Sequence, residues 1–198
     1  MAYQGLSHVL PVTEPHLGGT ILEGDPYSFS PNAWNYALTR FGISSVLDIG
    51  SGLGYAAQYF HSRGQKVIAI DGLQENCDSA IYPTVKLDLT LGPINCRVDF
   101  VHCQEVVEHI EEKYVDNLLR SLACGKFILI THATPGQGGH HHVNEQPPEY
   151  WISQLKRFNC HYIEDDTARI RRFAEIDNAL YLARTGMLFA NRGRIGGR

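Results

Sequence analysis

The stretch Val46-Leu47-Asp48-Ile49-Gly50-Ser51-Gly52-Leu53-Gly54 constrains this chain more than any other. An aliphatic run with the look of a strand enters three glycines at alternate positions. Residues 55–63 then read as a helix closed by Gly64. Glycine has no Cβ, so such a loop turns sharply and lets its backbone come close to a ligand. The spacing is not that of a dinucleotide-binding loop, which wants Gly-x-Gly-x-x-Gly. Here the third glycine arrives one residue early and Tyr55 stands where a small residue belongs. Nicotinamide and flavin dinucleotides are therefore disfavoured.

The same alternation runs through the rest of the chain. Ser30-Pro31 reads as an N-cap followed by proline at the first helical position. Trp34, Ala37, Leu38 and Phe41 follow at helical spacing, and Gly42 ends the run. Strands are expected over 45–49, 67–70, 85–87, 98–103, 126–131 and 187–191, with a weaker candidate at 160–164. Helices are expected up to Leu122, from Pro148 onward, and over most of 166–184. Residues 1–29 read as irregular, broken by Pro11, Pro15, Gly18, Gly19, Gly24 and Pro26. Strand–helix alternation specifies an α/β fold, a three-layer, doubly wound and mainly parallel sheet with helices on both faces. Ligands in such sheets bind at the carboxyl ends of the strands, near the point where the strand order reverses.

Composition narrows the class without naming an activity. With 198 residues the chain has the length of one domain, and its 43% hydrophobic and 19% charged residues are those of a globular protein. The longest aliphatic or aromatic run, 127–130, is far short of a membrane helix, and residues 1–10 carry no Lys or Arg. No membrane association and no secretory leader are expected. Five cysteines with no Cys-x-x-Cys pair argue against a disulfide framework and a cysteine-rich zinc site, so a cytoplasmic protein with reduced thiols is expected. Residues 1–168 hold 10 Lys+Arg against 19 Asp+Glu, and residues 169–198 hold 7 against 2. An acidic body disfavours nucleic-acid binding, which lives on Lys/Arg–phosphate contacts. Arg169, Arg171 and Arg172 read as a solvated face.

Two further carboxylates follow the glycine loop in register. Asp71 ends the second strand candidate, where it can accept hydrogen bonds from both hydroxyls of a ribose. Asp88 ends the third, where it can accept from an exocyclic amine of adenine. With these positions the sequence resembles the class I S-adenosylmethionine-dependent methyltransferases, small-molecule branch. Residues 46–54 resemble their first motif, with Asp71 at the ribose-binding acid and Asp88 at the adenine-contacting acid. Asp99-Phe100-Val101-His102-Cys103-Gln104-Glu105-Val106-Val107-Glu108-His109-Ile110 resembles the strand-four motif, and Thr185-Gly186-Met187-Leu188-Phe189 the final strand.

The resemblance implies a seven-stranded Rossmann-like sheet with an antiparallel last strand. It implies one domain over 1–198, made of an N-terminal cap and helix (1–43), a cofactor-binding core (44–131), and an acceptor loop with the end of the sheet (132–198). It implies S-adenosylmethionine as cofactor and S-adenosylhomocysteine as product, held by Asp48, Gly50, Ser51, Gly52, Gly54, Asp71, Gly72, Asp88, Leu89, Cys103 and Gln104. Only 17 residues separate Asp71 from Asp88, so the intervening helix must be very short. The Asp/Asn-Pro-Pro-aromatic tetrad of amide- and base-nitrogen methylases is absent after strand four, where His102-Cys103-Gln104-Glu105 stands.

The loop after strand five, 131–146, carries His132, His140, His141 and His142, four of the ten histidines. An imidazole there can act as a general base at neutral pH, can bind a metal that orients an oxygen nucleophile, or can serve as a polar loop contact. No metal ligand set is assigned. His132 is best anchored, because it directly follows a strand. His140, His141 and His142 are candidates to clamp or deprotonate the acceptor, and Glu105 is the next candidate base. Tyr27, Phe29 and Trp34 read first as packing and second as lining of the acceptor pocket. The expected function is methyl transfer to a small or medium acceptor, oxygen before nitrogen, with a sugar or glycan precursor among the possibilities. A non-catalytic cofactor-binding module and a nucleic-acid methyltransferase are the rival readings.

Overall fold

A computed structural model of the chain describes residues 15–18 and 25–195. The expected absence of a leader in residues 1–10, and Pro11, Gly19 and Gly24, lie outside the described residues. The described residues form seven strands and seven α-helices, alternating except where β4 follows β3 and α7 follows α6. The strands are β1 (Ser45–Ile49), β2 (Lys66–Asp71), β3 (Thr84–Lys86), β4 (Val98–Cys103), β5 (Gly125–Ile130), β6 (Cys160–Tyr162) and β7 (Met187–Asn191). The helices are α1 (Pro31–Phe41), α2 (Tyr55–Ser62), α3 (Gln74–Ser79), α4 (Val115–Leu122), α5 (Pro148–Lys156), α6 (Glu164–Ile176) and α7 (Leu180–Thr185).

The sheet order is β3-β2-β1-β4-β5-β7-β6. The first five strands are parallel neighbours, and β7 runs antiparallel to both β5 and β6. Strand order reverses between β1 and β4, so a crevice opens at their carboxyl ends.

Alternation along the strands makes two cores. Leu47, Ile49, Val101, Ile128 and Ile130 point to one face, against Leu118 and Leu122 of α4 and Trp151 of α5. Val46, Phe100, Leu129 and Leu188 point to the other, against Trp34 of α1, Phe60 of α2 and Ile170 of α6. Parallel strands covered on both sides need apolar residues at nearly every position, which is why these segments read as continuous runs.

Two expectations change. The helical stretch after β4 begins as two 3-10 turns, Val107–His109 and Glu112–Tyr114, before α4. The span 166–184 is two helices, because Asn178 takes a positive φ of 56° and turns the chain between α6 and α7. Among the described strands the last one, β7, is the one that runs antiparallel, as expected, because β6 beyond it at the sheet edge runs in the direction of β5. The short link between β2 and β3 is met by α3, six residues long.

Candidate active site

The glycine loop lies at the carboxyl end of β1. Gly50, Gly52 and Gly54 take positive φ values of 67°, 54° and 80°, a conformation that costs side-chain-bearing residues energy. A Cβ on Gly50 would stand 2.2 Å from Val106 Cγ2, so the loop packs directly on the segment after β4. A Cβ on Gly52 would meet nothing within 4 Å. Gly52 therefore faces open space, and its N–H donates to Asp71 Oδ2 at 2.8 Å. Asp71 Oδ1 accepts from the Leu73 N–H and from Asn76 Nδ2, both at 2.9 Å. A carboxylate has about four acceptor sites. One is left, so Asp71 can take a single ligand hydroxyl rather than the expected pair. Burial raises its pKa, and the three donors oppose that shift.

Around this loop runs a cleft of about 950 Å³, within the size range of small-molecule sites. Of the expected cofactor residues, Asp48, Gly50, Ser51, Gly52, Asp71, Gly72, Leu89 and Gln104 line it. Gly54, Asp88 and Cys103 do not. Gly54 is the N-cap of α2, and its missing Cβ makes room for Tyr82. Asp88 is turned away into a turn of its own, accepting from the N–H and the hydroxyl of Thr90 and from His16 Nε2. Burial disfavours its charge, but these donors outweigh burial and hold its pKa below the usual range. Cys103 is fully buried in the core, on the opposite side of β4 from His102, and burial pushes its thiol pKa up.

The histidine loop divides in the same way. His140, His142 and Glu105 line the cleft, whereas His132 and His141 do not. His132 is 2% exposed, with its N–H donated to Thr185 Oγ1. Directly following β5 buries it under α7 instead of presenting it to a ligand. His141 spends its carbonyl on His109 Nδ1, at 3.1 Å. Glu105 holds a φ of 56°, unusual for a residue with a side chain. Its N–H donates to Thr131 Oγ1, and that hydroxyl donates back to Glu105 Oε1, both at 2.8 Å. Burial raises its pKa.

Among the cleft-lining residues that the sequence left unassigned, four bear on the site. His102 lies beside Asp48 in register, and its Nδ1 meets Asp48 Oδ1 at 2.7 Å. His109 lines the cleft beside His142, and Asn76 buttresses Asp71. Tyr181 enters from α7. Only His102 had a signal in the sequence, a polar residue inside a buried strand. Phe29 and Trp34 also line the cleft, and Trp34 packs edge-on to His102. Arg171, expected on a solvated face, donates to the Gly186 carbonyl.

The cleft carries buried polar atoms without partners among the described residues: Trp34 Nε1, Asp48 Oδ2, His102 Nε2 and Gln104 Oε1. Buried polar groups in native proteins are normally paired. One N–H donor beside carboxylate and amide oxygens suits an amino-acid group, with a carboxylate for Trp34 and an ammonium for Asp48 and Gln104. Together with the single open site on Asp71, this donor set fits a nucleoside carrying an amino-acid tail.

Residues 47–130 match a family model described as a methyltransferase domain. Over 97 residues the chain is 30% identical to the ubiquinone biosynthesis O-methyltransferase of Rickettsia bellii (strain OSU 85-389), covering 43% of this chain and 40% of that one. The chain thus spans well under half the length of the curated relatives it matches. Magnesium protoporphyrin IX methyltransferase from Synechocystis PCC 6803 superposes with a TM-score of 0.55 at 16% identity, covering 66% of each chain. An S-adenosylmethionine-dependent methyltransferase from Archaeoglobus fulgidus superposes with a TM-score of 0.52 at 19% identity, covering 81% of this chain and 94% of that one. At such identities the superpositions speak for the fold alone. In its sheet order, in the glycine loop held by Asp71 and in the match over residues 47–130, the chain is similar to methyltransferase-domain proteins.

Proposed function

We propose that this chain transfers a methyl group from S-adenosylmethionine to a hydroxyl oxygen of a small acceptor. One observation carries the reading: the glycine loop and a lobe of Glu105, His109, His140 and His142 line a single cleft, and Gly50 packs on Val106, next to Glu105. When bound, the cofactor supplies a methyl already activated on a sulfonium. The protein has only to hold and align the partners and exclude water. In this reading Asp71 holds one ribose hydroxyl, Gly52 leaves room for the nucleoside, and Leu87 and Leu89 flank the base. Trp34, Asp48 and Gln104 take the amino-acid end. A hydroxyl must shed its proton as it is methylated, and Glu105 with the imidazoles offers acceptors for that hydrogen bond. An O-methyltransferase among the relatives supports oxygen over nitrogen.

Calorimetry with S-adenosylhomocysteine tests the cofactor half, and micromolar binding of one equivalent is expected. A panel of phenols, sugars and nucleosides incubated with S-adenosylmethionine, read by mass gain of one methyl, tests the rest. Turnover on a phenol or other small hydroxyl compound is expected. Tight cofactor binding with no turnover on any acceptor class overturns the enzymatic reading in favour of a binding module.

A further inference from the structure

His109 and His142 meet at the acceptor end of the cleft with ring centroids 5.2 Å apart. With Glu108 they form a group whose candidate ligand atoms all lie within 4.8 Å of one another. Both imidazoles are oriented from behind. His109 Nδ1 lies 3.1 Å from the His141 carbonyl oxygen, a contact only an N–H satisfies, so its lone pair is on Nε2. His142 Nδ1 lies 3.3 Å from Glu145 Oε1, and that carboxylate is itself clamped by the N–H groups of Gly136 and Gly138. An oxygen acceptor behind one ring nitrogen is what fixes the tautomer of a metal-bound histidine. Glu108 is fully buried with the Glu105 carboxyl close by, and neither of its oxygens has a hydrogen-bond donor among the described residues. Such a group takes up a proton unless a cation sits against it, and burial together with Glu105 pushes its pKa up.

We propose that Glu108, His109 and His142 form a three-ligand site for a Zn²⁺-class divalent cation, with an open position for a hydroxyl oxygen of the acceptor. Two imidazoles and one carboxylate suit Zn²⁺, Co²⁺ or Fe²⁺ rather than Mg²⁺, which prefers six oxygens. Three protein ligands with a free position is the arrangement of a catalytic zinc site, not a structural one. A hydroxyl placed against such a cation loses its proton more readily. That use of the open position rests on the methyl-transfer reading; binding of the cation does not. Because His142 belongs to the loop between β5 and α5, the cation also ties that loop to the 3-10 turn after β4.

The test uses the whole chain, stripped with EDTA and titrated with Co²⁺ in the absence of cofactor and acceptor. One equivalent is expected to bind with the visible absorption of a four- or five-coordinate site, and Zn²⁺ but not Mg²⁺ should displace it. His142→Ala and Glu108→Gln should each weaken binding at least tenfold, while His161→Ala, outside the cleft, leaves it unchanged. Absence of the visible band, or wild-type binding in His142→Ala, overturns the site. Should Glu108→Gln fail to fold, His142→Ala decides alone, because it changes only a loop side chain. S-adenosylhomocysteine titrated into the same protein separates the two readings. A cofactor-binding chain without a Co²⁺ site sinks this inference only, and a Co²⁺ site without cofactor binding upholds it while sinking the proposed function.

Discussion

Asp71 gives up three hydrogen bonds to hold its own loop and keeps one acceptor site for a ligand. Asp71→Ala should weaken S-adenosylhomocysteine binding by about 1.5–3 kcal/mol, roughly ten- to 150-fold, the scale of a hydrogen bond to a charged group. Calorimetry reads this directly, and an unchanged affinity in the folded variant removes Asp71 from the ribose. His132 shows the opposite case. Burial lowers its pKa, and its Nε2 has no partner among the described residues. His132→Gln should cost about 1–2 kcal/mol of stability, a typical core substitution, and leave cofactor affinity unchanged. A thermal melt beside the same titration checks both. A drop in affinity without loss of stability would return His132 to the site.

At the scale of elements, Asp99 ties the start of β1 to β4 and β5. Its carboxylate accepts from the backbone N–H and hydroxyl of both Ser44 and Ser45, and pairs with Lys126. Burial opposes its charge, but Lys126 and the serine donors outweigh it and hold the pKa far below its ordinary 3.8. A folded pKa below the unfolded one means that acid protonates the unfolded chain first. The stability Asp99 contributes is therefore complete above the ordinary carboxylate range and drains away as pH falls below it. Asp99→Asn should lower unfolding free energy by about 1.5–3 kcal/mol at pH 7, and the gap should narrow below about pH 4. Urea melts at both pH values test it, and a gap that widens in acid refutes it. Gly50→Ala acts on another junction. The added Cβ collides with Val106 and the φ of 67° disfavours any side chain. Cofactor binding should fall at least tenfold even where the chain still folds, which calorimetry on the purified variant reads.

For the whole molecule, the cleft draws on segments distant in the chain: His16 and Phe29, the glycine loop, the ends of β2 and β4, the histidine loop, and Tyr181. A ligand that bridges them binds the folded chain and not the unfolded one. S-adenosylhomocysteine at 100 times its Kd should then add about 2.7 kcal/mol, or roughly 5–10 °C in Tm for a chain of this size. A thermal-shift series checks this, and a larger shift from a nicotinamide dinucleotide would refute the cofactor assignment. Among the described residues no helix is long and apolar enough to cross a membrane.

What the linear chain determined by itself was whatever local chemistry enforces. Strand–helix alternation, three glycines in a row of alternate positions and an acid at the end of β2 need no partner to be read, and they specified the sheet, its cofactor end, and Asp71. The histidine-lined end of the cleft was decided only by tertiary structure. His132 looked best anchored because it follows β5, yet the packing of α7 buries it. His109 and Glu108 looked like the tail of a strand motif, yet a turn after β4 and a loop after β5 bring them against His142, 33 residues from His109. Spacing along the chain says nothing of which side chains of two loops will meet, because that depends on where the sheet ends each strand and which way the backbone then turns.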